Sequence, residues 1–210
     1  MSEETELPTR ARFEDAYAAG RPPWDIDGPQ PVFIEAAHRI AGSVLDAGCG
    51  TGENALFFAG RGHAVLGIDF LDRPIRAAKR KAELRGLAAR FLVHDALRLD
   101  EFGERFDSVV DSGLFHVFSD GDRARYVRSL RAAVNPGGRV FLACFSDQEP
   151  GDQGPRRVTR TEIRATFEPP WDVESIEEAR FQTRSDHSHL AFSPGGPFAW
   201  FCVIRRMDGS

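Results

Sequence analysis

The chain has 210 residues, 41% of them hydrophobic and 28% charged, which is enough to bury one α/β core and too apolar for a disordered segment. Acids outnumber bases, 32 to 27, and the resulting net charge of −5 is the wrong balance for a surface that tracks a phosphate backbone. Nucleic acid is therefore not an expected partner, and no run approaches the ~18 apolar residues of a membrane span, so a membrane is not expected either.

Met1 to Arg10 are polar and acidic, which predicts no secretory leader. Three cysteines, Cys49, Cys144 and Cys202, are odd in number and lack a C-x-x-C pairing, so reduced thiols in a cytoplasmic protein are expected. Residues 11–28 form an N-terminal arm containing Arg21-Pro22-Pro23-Trp24-Asp25, ahead of a single core over 29–210. Hydrophobic periodicity predicts helix over 30–41, strand 43–46, helix 53–60, strand 64–68, helix 72–86 and strand 90–93. Strand 106–110, helix 120–134, strand 139–145 and helix 160–167 follow. Asn135-Pro136-Gly137-Gly138 stops a helix and turns into the next strand, because proline cannot continue a helix and glycine permits positive φ. Residues 172–184 and 198–206 are extended runs with no convincing helix between them, which predicts a terminal β-hairpin. The alternation of strand and helix before them predicts a parallel sheet covered on both faces.

The most informative stretch is Val44-Leu45-Asp46-Ala47-Gly48-Cys49-Gly50-Thr51-Gly52-Glu53-Asn54. An apolar strand ends near an acid, a glycine-dense turn follows, and a helix begins. Glycines at alternate positions let the backbone turn sharply and approach a ligand that any Cβ would exclude. A helix start behind them offers free N–H groups to a carboxylate or phosphate. The dinucleotide fingerprint requires G-x-G-x-x-G; Gly48 and Gly50 fit it, but Glu53 occupies the third place. Cys49 within the turn reads as a small residue that fits rather than as a nucleophile.

The form D-x-G-x-G-x-G instead resembles motif I of the class I S-adenosylmethionine-dependent methyltransferases. That resemblance implies a Rossmann-like α/β fold, a mostly parallel seven-stranded sheet with helices on both faces and a C-terminal antiparallel hairpin. It also implies S-adenosyl-L-methionine as cofactor, with Asp46, Gly48, Cys49, Gly50 and Gly52 around it. Asp69 ends the second strand, where a carboxylate reaches ribose hydroxyls or else caps the next helix. Phe70 follows it. The third strand leads into Asp95-Ala96, which the family places beside adenine; an Asx turn is the alternative. Phe106-Asp107-Ser108-Val109-Val110-Asp111-Ser112-Gly113 is similar to the fourth motif, with Asp111 and Ser112 beside the methionine portion of the cofactor. These motifs in the family's order cover about residues 43–145.

Two details narrow the resemblance. Pro23-Trp24-Asp25-Ile26-Asp27-Gly28-Pro29-Gln30-Pro31 resembles the P-W-D-x-G-x-x-x-P signature of the thiopurine and halide/thiol methyltransferases, with its register longer by one residue. Asp111-Ser112-Gly113-Leu114-Phe115-His116-Val117-Phe118 is similar to the actinobacterial heterocyclic toxin methyltransferases. The resemblance implies methyl transfer to O, N or S of a small, flat acceptor. His116 is the candidate general base, with packing as its alternative, and Asp111 its catalytic neighbour; a thiolate would need no base. Phe13, Tyr17 and Trp24 are expected to cover cofactor or substrate, although Trp24 would equally serve to anchor the arm. His187-x-His189 lacks accompanying ligands, so no metal is expected. Arg73, Arg76, Lys79, Arg80, Lys81 and Arg85 read as the solvated face of a helix. Methylation of RNA or protein and a cofactor sensor without turnover are the competing readings. The first requires a contiguous positive or peptide-binding surface; the second requires neither an enclosed acceptor cavity nor His116.

Overall fold

A computed structural model describes residues 10–187 and 190–207. The arm carries α1 (Arg10–Ala18); the core begins with α2 (Pro31–Glu35) and a 3-10 turn over Ala36–Arg39. Then follow β1 (Val44–Ala47), α3 (Glu53–Ala59), β2 (Val65–Asp69), α4 (Asp72–Arg85), β3 (Ala89–Val93), β4 (Phe106–Ser112), α5 (Asp120–Ala133) and β5 (Val134–Phe145). Helix α6 (Arg160–Thr166) precedes the pair β6 (Trp171–Arg180) and β7 (Phe198–Arg206).

The seven strands make one sheet in the order β3-β2-β1-β4-β5-β7-β6. Strands β1 to β5 are parallel to their neighbours, while β7 runs antiparallel to both β5 and β6. β1 is apolar apart from Asp46 and is buried throughout, as a central parallel strand covered on both faces must be. Two hydrophobic clusters sit on opposite faces. Leu45, Val109, Tyr126, Leu130 and Trp200 belong to one; Phe33, Val44, Phe58, Phe141 and Phe201 belong to the other.

The helix expected over 30–41 is divided into α2 and the 3-10 turn, which ends before Gly42 at φ +63. Pro31 starts it in the position where a missing N–H costs nothing. Ser119 caps α5 by accepting from Asp122 N, so His116 has no capping duty. β5 begins ahead of Asn135-Pro136-Gly137-Gly138, and those four residues bulge out of the register: Val134 opposes Phe106, and Arg139 opposes Ser108. Among the described residues no helix is long and apolar enough to cross a membrane. The order reverses between β1 and β4, and the carboxyl ends of the two strands open a crevice there, where ligands of open α/β sheets bind.

Candidate active site

The glycine turn follows β1 directly into that crevice. Gly48, Gly50 and Gly52 all take positive φ, at +69, +53 and +88. A Cβ on Gly50 would lie 2.9 Å from Tyr17 Oη, and one on Gly52 would lie 2.8 Å from Ala78 Cβ. The turn is therefore a bare-backbone cradle, closed from above by the arm and from below by α4.

Two carboxylates hold the cradle. Asp46 Oδ2 accepts from Ala55 N (3.0 Å), so an acid of β1 satisfies the first turn of α3; its Oδ1 is buried without a partner among the described residues. Asp69 Oδ2 accepts from Gly50 N (3.1 Å) and Oδ1 from Leu71 N (2.9 Å). One carboxylate thereby ties the end of β2 both to the cradle and to the start of α4, and each oxygen keeps a lone pair for a further donor. Burial raises the pKa of Asp69 to about 6 and that of Asp46 to about 7. Asp95 accepts from Leu97 N (2.9 Å) and opens a 3-10 turn, which is the Asx-type role; Ala96 behind it is buried. Cys49 packs under the turn, and burial raises its thiol pKa well above the ordinary range.

The arm lies over this cradle. Trp24 Nε1 donates to Tyr17 Oη (3.2 Å), and Phe13 meets both Trp24 (5.7 Å) and Phe70 (5.8 Å) edge to face. Thr51 in the turn donates to Asp25 of the arm and accepts from Lys81 Nζ (2.7 Å). Gln30 clamps the other side: its Nε2 donates to Gln182 O (2.9 Å), and its Oε1 accepts from Gln182 N (2.8 Å). Lys81 and Arg85 both pair with Glu53, so this part of the expected basic face is neutralised against α3 rather than simply solvated.

At the carboxyl ends of β4 and β5 stands a second aromatic group. The His116 ring meets Phe145 at 5.2 Å and Phe181 at 6.0 Å, and Phe192 meets Phe145 at 5.5 Å. Arg157 lies 5.4 Å above the Phe145 ring and donates to carbonyls of Glu149, Gln153, Pro150 and Pro155, which fixes residues 146–158 as the outer wall. Buried Glu149 joins that wall to the link between β6 and β7 by accepting from Ser193 N (3.0 Å) and Phe198 N (2.8 Å). Phe145, Phe181, Phe192 and Glu149 escaped sequence reasoning; an isolated Phe at a strand end and an acid in a loop carry no spacing signal.

Asp111 and His116, at the end of β4, are both held by backbone N–H groups. Asp111 is fully buried, and its Oδ1 accepts from Leu114 N (2.8 Å) and Phe115 N (3.2 Å). It supports the turn that carries His116 from beneath, and half-buried Ser112 is what β4 presents at its end. The ring of His116 is engaged by the backbone of β5. Phe145 N donates to its Nδ1 (3.0 Å), which commits that nitrogen's lone pair and leaves the proton on Nε2. Burial, reinforced by Arg123 and Arg157, lowers the imidazole pKa to about 3. The H-x-H expectation rests partly on His189, which lies outside the described residues; no metal-binding cluster occurs among the described ones.

A mostly parallel sheet with an antiparallel β7, and a glycine cradle between Asp46 and Asp69 at the switch point, define a class I nucleotide-cofactor transferase. A methyltransferase domain model matches residues 44–138. The 2-heptyl-1-hydroxyquinolin-4(1H)-one methyltransferase of Mycobacteroides abscessus is 35% identical over 196 residues, which span 88% of this chain and 85% of that protein. A solved structure described by the conversion of a disulfide bond into a thioacetal group during echinomycin biosynthesis superposes with a TM-score of 0.85. Its identity is 35%, and the match covers 96% of this chain and 94% of that one. The fold also matches the 1,6-didemethyltoxoflavin-N1-methyltransferase of Burkholderia thailandensis, solved with its substrate and S-adenosylhomocysteine: TM-score 0.68, 24% identity, 95% and 87% coverage. The chain belongs to the S-adenosylmethionine-dependent methyltransferases that act on small molecules, and S-adenosylmethionine is its cofactor.

Proposed function

We propose that the acceptor is a small, flat heterocycle carrying a hydroxyl or ring nitrogen, with thiols next in preference. The observation that carries this reading is the second aromatic group: Phe145, Phe181 and Phe192 offer ring faces and edges around His116, whose Nε2 has no partner among the described residues. An aromatic wall of this kind excludes water and stacks a planar ring while reserving one polar contact. The hydroxyquinolone named for the Mycobacteroides relative is an acceptor of this shape, which adds support.

In this reading Gly48, Gly50 and Gly52 lie against the cofactor backbone to backbone, Asp69 receives ribose hydroxyls, and Asp95 and Ala96 border the adenine. Asp46 Oδ1, buried without a donor, suits a cationic or N–H group. Phe13, Tyr17, Trp24 and Phe70 roof the site. The cofactor supplies an activated methyl on a good leaving group. The protein's contribution is alignment and exclusion of water, an effect for which well-oriented systems give ~7–11 kcal/mol of the barrier. Residues 10–28 act as lid over a single core beginning at residue 29. Free Cys49, Cys144 and Cys202 suit a reducing cytoplasm, and the negative net charge disfavours nucleic acid as acceptor.

Incubation with S-adenosylmethionine and a panel of quinolones, phenols and thiols, read by mass spectrometry, tests this. Methylated hydroxyquinolones or related heterocycles are expected first. Cofactor binding without transfer to any member would instead support a sensor.

A further inference from the structure

We propose that His116 serves the acceptor as a fixed hydrogen-bond donor, and that the enzyme selects acceptors which reach the site already ionised. The inference rests on the small-heterocycle reading above and deepens it. His116 is 7% exposed, and all its interactions among the described residues are accounted for by the Phe145 amide and the flanking rings. Among the described residues Nε2 makes no hydrogen bond, and it lies 3.4 Å from the point a Cβ on Gly113 would occupy, at the end of β4. A buried imidazole with one uncommitted N–H beside Gly113 has a donor to give and no lone pair to receive a proton.

The groups packed around it point the same way. Arg123 of α5 stacks 4.9 Å from Phe115 in the His116 turn, and Arg157 covers Phe145 from the outer wall. Both lower the imidazole's tendency to protonate, and both favour an anion beside it. Arg123 Nη2 is itself buried and unpartnered among the described residues. Asp111, the acid beneath the turn, already accepts two backbone N–H groups and has no exposed surface. Among the described residues around His116 the acids are Asp111 and Glu149; both are buried, and Glu149 spends its two oxygens on Ser193 N and Phe198 N, so neither is presented to an incoming hydroxyl.

The acceptor's proton therefore leaves to bulk water before binding. The displacement then forms the acceptor–carbon bond and breaks the carbon–sulfur bond, with the electron pair left on sulfur and no proton passed to the protein. Acidic N-hydroxy and hydroxy heterocycles and thiols of low pKa fit this requirement; ordinary phenols and alcohols do not.

The test uses 2-heptyl-1-hydroxyquinolin-4(1H)-one as probe, because its ionisation is followed by absorbance. With S-adenosylhomocysteine present, binding to the full chain should favour the anion by about tenfold or more, as a charge-assisted hydrogen bond would. His116→Ala should abolish that preference and His116→Gln should retain part of it, since the amide can still donate. Nitrogen-15 NMR of the wild-type imidazole, which needs no variant, should show the proton on Nε2 and a bare Nδ1 throughout pH 5 to 8. A protonated Nδ1, failure of the probe to bind, or a bound probe with its solution pKa would overturn the proposal. If the NMR and binding results hold while no heterocycle is methylated, the donor role survives and the acceptor reading of the preceding subsection fails.

Discussion

At the scale of single residues, the glycine cradle and its acids were legible because each had to be of one type. Gly52 has φ +88, and its missing Cβ leaves room for Ala78 and the Phe91 ring. Gly52→Ala should cost about 1–3 kcal/mol or more, from backbone strain together with overpacking, measurable as a lowered denaturant midpoint. The positions of His116 and Asp111 follow from the fourth motif, while their hydrogen-bond partners depend on contacts distant in the chain. The tautomer of His116 depends on the amide of Phe145, 29 residues further along, and that pairing exists only after β4 and β5 are aligned. Asp111 invites a test of its own. Its pKa is raised to about 7 by burial, so it folds more favourably as the neutral acid, and stability contributed by the proton is lost as pH rises towards 7. Asp111→Asn keeps an oxygen for the Leu114 and Phe115 amides; its melting temperature should fall less than that of the wild type between pH 5 and 8.

At the scale of elements, strands were read well and caps and links less well. Strands β1 to β5 announce themselves as short apolar runs between glycine, proline and polar turns. The segments 146–158 and 185–197 do not, because what organises them is Glu149 receiving two amides from one link and Arg157 donating to four carbonyls. The arm's Pro-Trp-Asp sequence was legible, although its partner was not: Asp25 receives the hydroxyl of Thr51, inside the cradle. This bond couples the arm to the glycine turn. Asp25→Ala should weaken S-adenosylhomocysteine binding by roughly tenfold, the scale of one hydrogen bond to a charged group, with a matching change in Trp24 fluorescence. An unchanged calorimetric affinity would show the arm to be held by its aromatic contacts alone. A milder effect is expected at α6, where Thr159 and Glu162 form a reciprocal cap; Thr159→Ala should cost about 1 kcal/mol with the cofactor affinity unaltered.

At the scale of the whole molecule, three buried carboxylates converge on the carboxyl edge of the sheet, and their collective titration should govern how stability depends on pH. The strand pattern and the glycine turn foretold a parallel sheet with a closing hairpin, but not that Asp46, Asp69 and Asp111 would share a desolvated edge, with Asp46 bearing repulsion from the other two. Burial leads each shift, to about 7, 6 and 7, and Asp111 and Asp69 add repulsion at Asp46. A folded-state pKa above the unfolded value means that the native state holds more protons across the interval, so these acids remove stability as pH climbs from about 4 to 7. His116 acts oppositely: with its folded pKa near 3, its contribution is complete above about 6.5 and is lost as pH falls through that range. Surface acids held low by arginine, such as Glu104 by Arg90 and Glu174 by Arg139, act in the opposite sense, and their contribution is complete above the unfolded carboxylate range of ~4. Three carboxylates against one imidazole give a net loss, so thermal melting of the cofactor-free chain should occur at lower temperature at pH 8 than at pH 5.5. The Asp46→Asn, Asp111→Asn double variant should flatten that slope. A wild-type melting temperature that rises steadily from pH 5.5 to 8 would mean that the edge carboxylates ionise at ordinary pH and that the cradle is better solvated than its burial implies.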